Sequence, residues 1–195
     1  MPRLVDHGER RRAIIEAAWR IIADRGIDGI TMRDLAAEAG YANGALGHYF
    51  SGKDEILCTA FEYVIESTNR RIERSVGRRR GLAALRRMCL EIMPVTEETR
   101  LEARIAVALW QRAMNDPAMA EYNNVAVAEW KSRLARFWAE AIAAGELPET
   151  ELEIGVESLM TMMIGLQVTA VLGTAVSTRR SQIALLDSLL GATPE

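Results

Sequence analysis

The chain has 195 residues, of which 49% are apolar, so it can bury a sizeable core and is not an intrinsically disordered protein. It carries 24 Lys and Arg against 27 Asp and Glu, and this balance excludes nucleic-acid binding driven by overall positive charge. Cys58 and Cys89 form neither a disulfide framework nor a CxxC pair, and the first residues are not an apolar leader. We therefore expect a cytoplasmic protein.

Apolar residues recur at three- and four-residue spacing along nearly the whole chain, and the alternating patterns of strands are missing. This periodicity predicts an all-α protein. Capping and breaking residues divide it into nine helices, at about residues 9–25, 32–39, 43–50, 53–76, 82–93, 97–115, 117–144, 149–174 and 179–191. Gly and Thr residues interrupt the apolar stretch near 159–176, which we interpret as a buried helix rather than a membrane span.

The second and third predicted helices are short and are joined at Gly40, an arrangement that predicts a helix-turn-helix. Gly26 is expected to end the helix before them with a left-handed cap. The small core of this unit would consist of Leu35, Ala39, Leu46 and Phe50. We predict a helix-turn-helix domain over residues 1–52, a linking helix over 53–76, and a helical ligand-binding and dimerisation domain over 77–195.

Residues 31–57 read TMRDLAAEAGYANGALGHYFSGKDEIL. The segment resembles the DNA-binding segment of the TetR family of repressors. The shared pattern is a Thr before a two-turn helix, an Ala-Gly pair, a short recognition helix ending in aromatic residues, and a Lys opening a long helix. The resemblance covers about the first 65 residues, and it implies a protein that binds double-stranded DNA.

The predicted DNA contacts fall into two chemical groups. Residues on the outer face of the recognition helix would meet base edges in the major groove, with Asn43 the best candidate for direct readout. Four side chains would contact phosphates, as the resemblance also implies: the Thr31 hydroxyl, the His48 imidazole, the Tyr49 phenol and the Lys53 ammonium. The full candidate set is Thr31, Arg33, Ala42, Asn43, Gly44, Gly47, His48, Tyr49 and Lys53.

One position departs from the family pattern, because Gly47 stands where many members have a large aromatic residue that touches bases. This leaves Asn43 and His48 with more of the readout. Each of these two also has a structural interpretation, as a cap of the short helix. The basic edge of the DNA-binding face would be formed by Arg3 and the three arginines at 10–12.

The C-terminal part carries large polarisable side chains on separate helices, which favour an apolar pocket for a small-molecule effector. The candidates are Trp110, Met114, Trp130, Phe137, Met163 and Gln167. Each of them can equally be an ordinary core residue. The stretches GALGHYFSGKD, WQRAMNDPAM, WKSRLARFWAEA and IGLQ resemble the choline-responsive BetI-type subgroup. That resemblance implies, as one option, a quaternary ammonium ligand held against a Trp ring.

The last two predicted helices have more apolar surface than a lone pair can bury, which predicts a homodimer through a four-helix interface. A dimer would read a near-palindromic operator with half-sites one helical turn apart. We expect a repressor that an effector releases from DNA by shifting the long helix that opens at Lys53.

Other interpretations stay open at this point. The same fold can serve as an activator or an effector-independent regulator, and a helical adaptor or a cysteine-based redox switch are further alternatives. The catalytic motifs HExxH, GxSxG and a phosphate-binding glycine loop are missing, so we expect no enzyme, and we expect no metal and no cofactor.

Overall fold

A computed structural model describes residues 7–25, 31–42, 44–149 and 152–191. Within these ranges the regular structure is helical throughout, which confirms the predicted all-α class. The helices are α1 (His7–Arg25), α2 (Met32–Glu38), α3 (Lys53–Val76), α4 (Gly81–Ile92), α5 (Glu97–Ala113), α6 (Pro117–Ala143), α7 (Leu152–Leu172) and α8 (Arg179–Leu189). Two 3-10 turns, Ala45–His48 and Ala175–Ser177, complete the described elements.

Local sequence signals define both ends of α2. The Thr31 hydroxyl accepts from the Asp34 backbone N–H at 3.0 Å, and the Asp34 carboxylate accepts from the Thr31 N–H at 3.1 Å, which forms a capping box. At the other end Gly40 has φ +74°, and the N–H of Tyr41 donates to the carbonyl of Ala36 at 2.8 Å. This Schellman motif requires the left-handed residue that glycine supplies.

The predicted recognition helix over 43–50 is only a single 3-10 turn, Ala45–His48, so the described residues contain eight α-helices rather than nine. Gly44 has φ +94°, and both it and Gly47 have low helix propensity. The N–H of Ala45 donates to the Ala42 carbonyl at 3.0 Å, one of the short-range bonds that hold the turn. Gly26 and Asn43 lie outside the described residues.

Buried side chains form two clusters. The first joins α1, α2, the 3-10 turn, the first half of α3 and the second half of α5, with Leu35, Leu46 and Phe50 almost fully buried and Ala39 packed against them. The second joins the end of α3 with α4, α6, α7 and α8. Because α3 contributes to both clusters, it links them as the sequence predicts. The predicted domain boundaries stay a prediction.

One close approach fixes the packing of α6 on α7. A Cβ added at Gly155 would clash with the ring of the buried Trp138, so only glycine fits there. The helix α7 is apolar both on the face packed against the chain and on its outer face. It buries Leu159, Met163 and Leu166 and leaves Ile164 exposed.

By length and composition, α7 would be able to cross a membrane, a test that core helices of soluble proteins also pass. Only 28% of an 18-residue apolar stretch of α7 is buried within this chain. The expectation of a buried helix is therefore wrong for much of the surface of α7. The reason is that an apolar helix lying on one side of a folded chain can bury only one face against that chain.

Candidate nucleic-acid interface and ligand cavity

The structure leaves most of the predicted DNA contacts accessible. The exposed ones are Thr31, Arg33, Ala42, Gly44, Gly47, His48 and Lys53. They belong to the start of α2, the 3-10 turn and the start of α3. Tyr49 is half-buried, and Asn43 and Arg3 lie outside the described residues. The surface thus has no large apolar side chain at Gly47, where a Cβ would meet nothing within 4 Å.

Two arginines of α1 hold the 3-10 turn from behind. The guanidinium of Arg10 donates to the Tyr49 hydroxyl at 3.1 Å, and that of Arg11 donates to the Tyr49 carbonyl at 3.4 Å. Arg11 also lies 4.6 Å from the centre of the Phe50 ring and pairs with Glu55 at 3.1 Å. Arg10 and Arg11, which were predicted to form part of the basic edge of the DNA-binding face, therefore contact the turn itself, and their role toward DNA stays a prediction.

The carboxylate of Glu55 closes the start of α3. It accepts from the backbone N–H of Ser51 at 2.7 Å and from the Ser51 hydroxyl at 2.8 Å. These bonds, with a smaller contribution from Arg11, hold the pKa of Glu55 below its ordinary value. This contact was not predicted from the sequence, because Ser51 and Glu55 are four residues apart, one more than the spacing of a capping box.

A small cavity of about 30 Å³ lies between α3, α5, α6 and α7, and the end of α4 also contributes to its wall. That volume is about the room that one or two water molecules need. Its lining combines aromatic, aliphatic and polar groups: Phe61, Val64, Thr68, Ile92, Thr99, Glu102, Ala103, Ala106, Trp110, Val127, Trp130 and Gln167. It is a candidate ligand cavity.

The cavity brings together three of the six predicted effector residues, namely Trp110, Trp130 and Gln167. Phe137 and Met163 are buried in the second core cluster and do not line it. Met114 ends α5 with 81% of its surface exposed, because the chain turns outward there before α6. The sequence pattern found apolar residues of the right kind, but periodicity alone does not tell a cavity wall from a core contact.

Two indole hydrogen bonds fix the aromatic walls. The Trp110 indole N–H donates to the side-chain amide oxygen of Asn123 at 2.8 Å, and the Trp130 indole N–H donates to the side-chain amide oxygen of Asn69 at 2.7 Å. The first bond ties α5 to α6, and the second ties α6 to α3. Both bonds thus link helices that line the cavity.

The charged group that lines the cavity is a buried carboxylate, Glu102, which was not predicted from the sequence. Glu102 is 5% exposed and forms a two-point ion pair with the Arg71 guanidinium, at 2.7 and 2.6 Å. Burial raises the pKa of Glu102, an effect that the hydrogen bonds from Arg71 oppose. A signal was present, since Glu102 lies in helical register with Thr99, Ala103 and Ala106 on the apolar face of α5.

The cysteines lie away from this chemistry. Burial raises the pKa of Cys89 to about 12, so its thiol is a poor source of thiolate. Cys58 is half-buried, and burial raises its pKa as well. Neither thiol has the lowered pKa that is typical of a redox sensor.

Two family models match the chain. Residues 14–58 match the bacterial regulatory proteins of the tetR family, and residues 82–194 match the C-terminal domain of BetI-type transcriptional repressors. The regulator PksA of Bacillus subtilis is 32% identical over 174 residues, 88% of this chain and 83% of its own length. The regulator BetI of Burkholderia lata is 26% identical over 188 residues, 92% of this chain and 91% of its own.

Solved structures have the same fold. A transcriptional regulator from Saccharomonospora viridis, solved in complex with choline, superposes with a TM-score of 0.87 at 22% identity, over 94% of this chain and 96% of its own. A regulator from Rhodococcus sp. Rha1 gives a TM-score of 0.81 at 24% identity, over 93% and 94% of the two chains. These proteins are named as regulators of transcription rather than as enzymes.

Proposed function

Since the chain belongs to the TetR family of DNA-binding transcriptional regulators and has a BetI-type C-terminal domain, we propose that it is a cytoplasmic repressor. It binds a palindromic operator as a homodimer, and a small-molecule effector releases it. The observation that carries the proposal is the exposed 3-10 turn between α2 and α3, with His48 and Lys53 free of described ion-pair partners. A family model for DNA-binding regulators covers the same segment.

The contacts around the turn suit DNA recognition. Arg10 and Arg11 brace Tyr49 from the protein side, so the outer surface of the turn is preorganised for a groove. Exposed Lys53 opens α3, where its ammonium can reach a phosphate, and His48 ends the 3-10 turn beside it. Asn43, although outside the described residues, remains the proposed base-edge contact.

The dimer rests on the surfaces of α7 and α8. Both helices expose large apolar side chains, which soluble proteins usually cover. They are Leu152, Ile154, Ile164 and Leu172 on α7 and Leu185 and Leu189 on α8. A two-fold contact between these helices in two copies would form a four-helix interface.

The effector cavity supports release by a small molecule. Phe61, Val64 and Thr68 of α3 line it, and the same helix begins at Lys53 beside the DNA-binding turn. A ligand that enlarges the cavity would move α3 and change the separation of the two turns in a dimer. Choline, bound by the Saccharomonospora viridis neighbour, is one candidate effector to test. A second coupling is the Arg112 pair with Asp54 at 2.7 Å, which ties the end of α5 to the start of α3.

The proposal is tested by duplex binding in a salt series. The DNA is an inverted repeat from the intergenic region beside the gene, and a scrambled duplex is the comparison. The triple variant Asn43→Ala, His48→Ala, Lys53→Ala should lose specific binding. The slope of log affinity against log salt should fall by about one for each phosphate contact removed.

The control replaces Arg104, an exposed arginine of α5, by Ala, which should leave binding unchanged. Equal operator affinity of the triple variant and the wild type would contradict the assignment of the turn. A metabolite panel that includes choline, added to the wild-type complex, tests release. If no compound weakens binding, the effector part of the proposal fails and DNA binding stands.

A further inference from the structure

Three carboxylates surround one guanidinium beside the cavity. Arg71 of α3 contacts Glu91 of α4 at 3.5 Å, and Glu98 and Glu102 of α5 at 3.2 and 2.6 Å. Every described salt bridge of these three carboxylates goes to Arg71. One positive charge thus faces three negative charges, with the Arg71 side chain only 13% exposed and that of Glu102 only 6% exposed. Glu98 is 59% exposed and is screened by solvent, so the two buried charges of the cluster are those of Arg71 and Glu102.

Glu102 is the member of the cluster that contacts both Arg71 and the cavity. Its oxygens accept from Arg71 on one side, and its side chain lines the cavity with Trp110 and Trp130 on the other. A buried carboxylate beside aromatic faces is a suitable environment for an organic cation. In the structure, however, both of its oxygens are already occupied by the guanidinium.

Other acceptors lie within reach of the Arg71 guanidinium if it separates from Glu102. Its guanidinium also donates to Glu98 at 3.2 Å and to the Glu91 carbonyl at 3.2 Å, and Glu91 offers a carboxylate 3.5 Å from Nε. That Nε is buried without a hydrogen bond to a described residue. A small rotation of the side chain away from Glu102 would therefore keep the arginine paired. It would also free space next to a cavity of only about 30 Å³.

From this geometry we infer that Arg71 is an internal competitor of the effector. In the DNA-binding state its guanidinium occupies Glu102 and locks α3 to α5. A cationic effector takes Glu102 in its place, Arg71 moves to Glu91 and Glu98, and α3 is released from α5. The inference rests on the proposed function and adds the device by which occupancy of the cavity reaches the DNA-binding helix.

The test measures the affinity of the 195-residue protein for tetramethylammonium by calorimetry, without DNA. Arg71→Gln should bind the cation about tenfold more tightly than the wild type, because the competitor is gone, and Glu102→Gln about tenfold more weakly. A structural role for Arg71 would lower the affinity or leave it unchanged, so an increase is diagnostic. Arg70→Gln, an exposed neighbour on α3, is the matched control and should bind like the wild type.

Circular dichroism checks that each variant is folded. A second pair of variants then shows whether a change in affinity comes from the charge of Arg71 or from a loss of folding. Arg71→Lys retains the charge but not the two-point grip and should give an intermediate affinity, whereas Arg71→Gln with Glu102→Gln should bind as weakly as Glu102→Gln. Equal affinities in the wild type and the Arg71 variants, or no cation binding in any of them, would overturn the exchange. If the wild type binds no duplex, the proposed function fails separately, because the calorimetry does not depend on DNA.

Discussion

At the scale of single residues, three polar contacts converge on Glu55, which joins α1, the segment after the 3-10 turn and α3. Two come from Ser51 and one from Arg11. Because these contacts lower the pKa of Glu55, its ionised form stabilises the folded state at neutral pH. That contribution is present above the unfolded pKa and is lost as the pH falls through the lower folded pKa.

We therefore expect Glu55→Gln to lower the free energy of unfolding by about 0.5–1 kcal/mol at pH 7, the scale of charge-assisted hydrogen bonds reduced for solvent exposure. The deficit relative to the wild type should shrink as the pH is lowered below about 4, because the wild-type carboxylate is then protonated too. Urea unfolding at several pH values measures it. Glu38→Gln removes an exposed carboxylate paired with Arg20 at 2.7 Å and is the control, with a smaller effect. A deficit that does not change with pH would contradict the role of the charge.

At the scale of elements, the 3-10 turn is where the sequence and the structure differ most. Leu46 and Phe50 have the spacing of a helix face, and the structure does bury both of them. Periodicity alone, however, cannot distinguish a two-turn helix from a 3-10 turn that is held by its neighbours. The deciding facts are the left-handed Gly44 and the braces from Arg10 and Arg11, and the braces cross about 40 positions of sequence.

The same limit applies to the candidate ligand cavity. Trp110, Trp130 and Gln167 were predictable as large or polar groups on separate helices, and they do meet in one cavity. Arg71 and Glu102 lie in different helices, 31 positions apart, and the pair is visible only once α3 and α5 are packed together. Patterns within one helix predict its apolar face, whereas pairs between helices need the tertiary structure.

Two glycines of the turn offer a matched pair of substitutions. Gly44 has φ +94°, whereas Gly47 has no positive φ, and a Cβ at either meets nothing within 4 Å. Gly44→Ala should destabilise the protein by about 1–2 kcal/mol, because an L side chain is strained in the left-handed region. Gly47→Ala should change stability by less than about 0.5 kcal/mol. Urea unfolding measures both, and equal effects would show that the turn relaxes to another conformation.

At the scale of the whole molecule, the apolar surface of α7 connects packing to function. Only 28% of an 18-residue apolar stretch of this helix is buried within one chain, and Leu185 of α8 is exposed as well. A second copy offers the same surface, so a two-fold contact satisfies both chains at once. The two DNA-binding turns would then be fixed relative to each other, which a monomer cannot achieve.

Glutamate at two positions of this surface should disrupt the dimer. In the variant Ile164→Glu, Leu185→Glu, each protomer would bring two unpaired charges into the apolar contact, which is costly. We expect a monomer at micromolar concentration in sedimentation velocity, and an operator affinity at least about 100-fold weaker, since the two half-sites are no longer bound together. Val125→Glu, at a position 66% exposed on α6, should leave the dimer intact. A double variant that still sediments as a dimer would move the interface away from α7 and α8, and with it the predicted spacing of the half-sites.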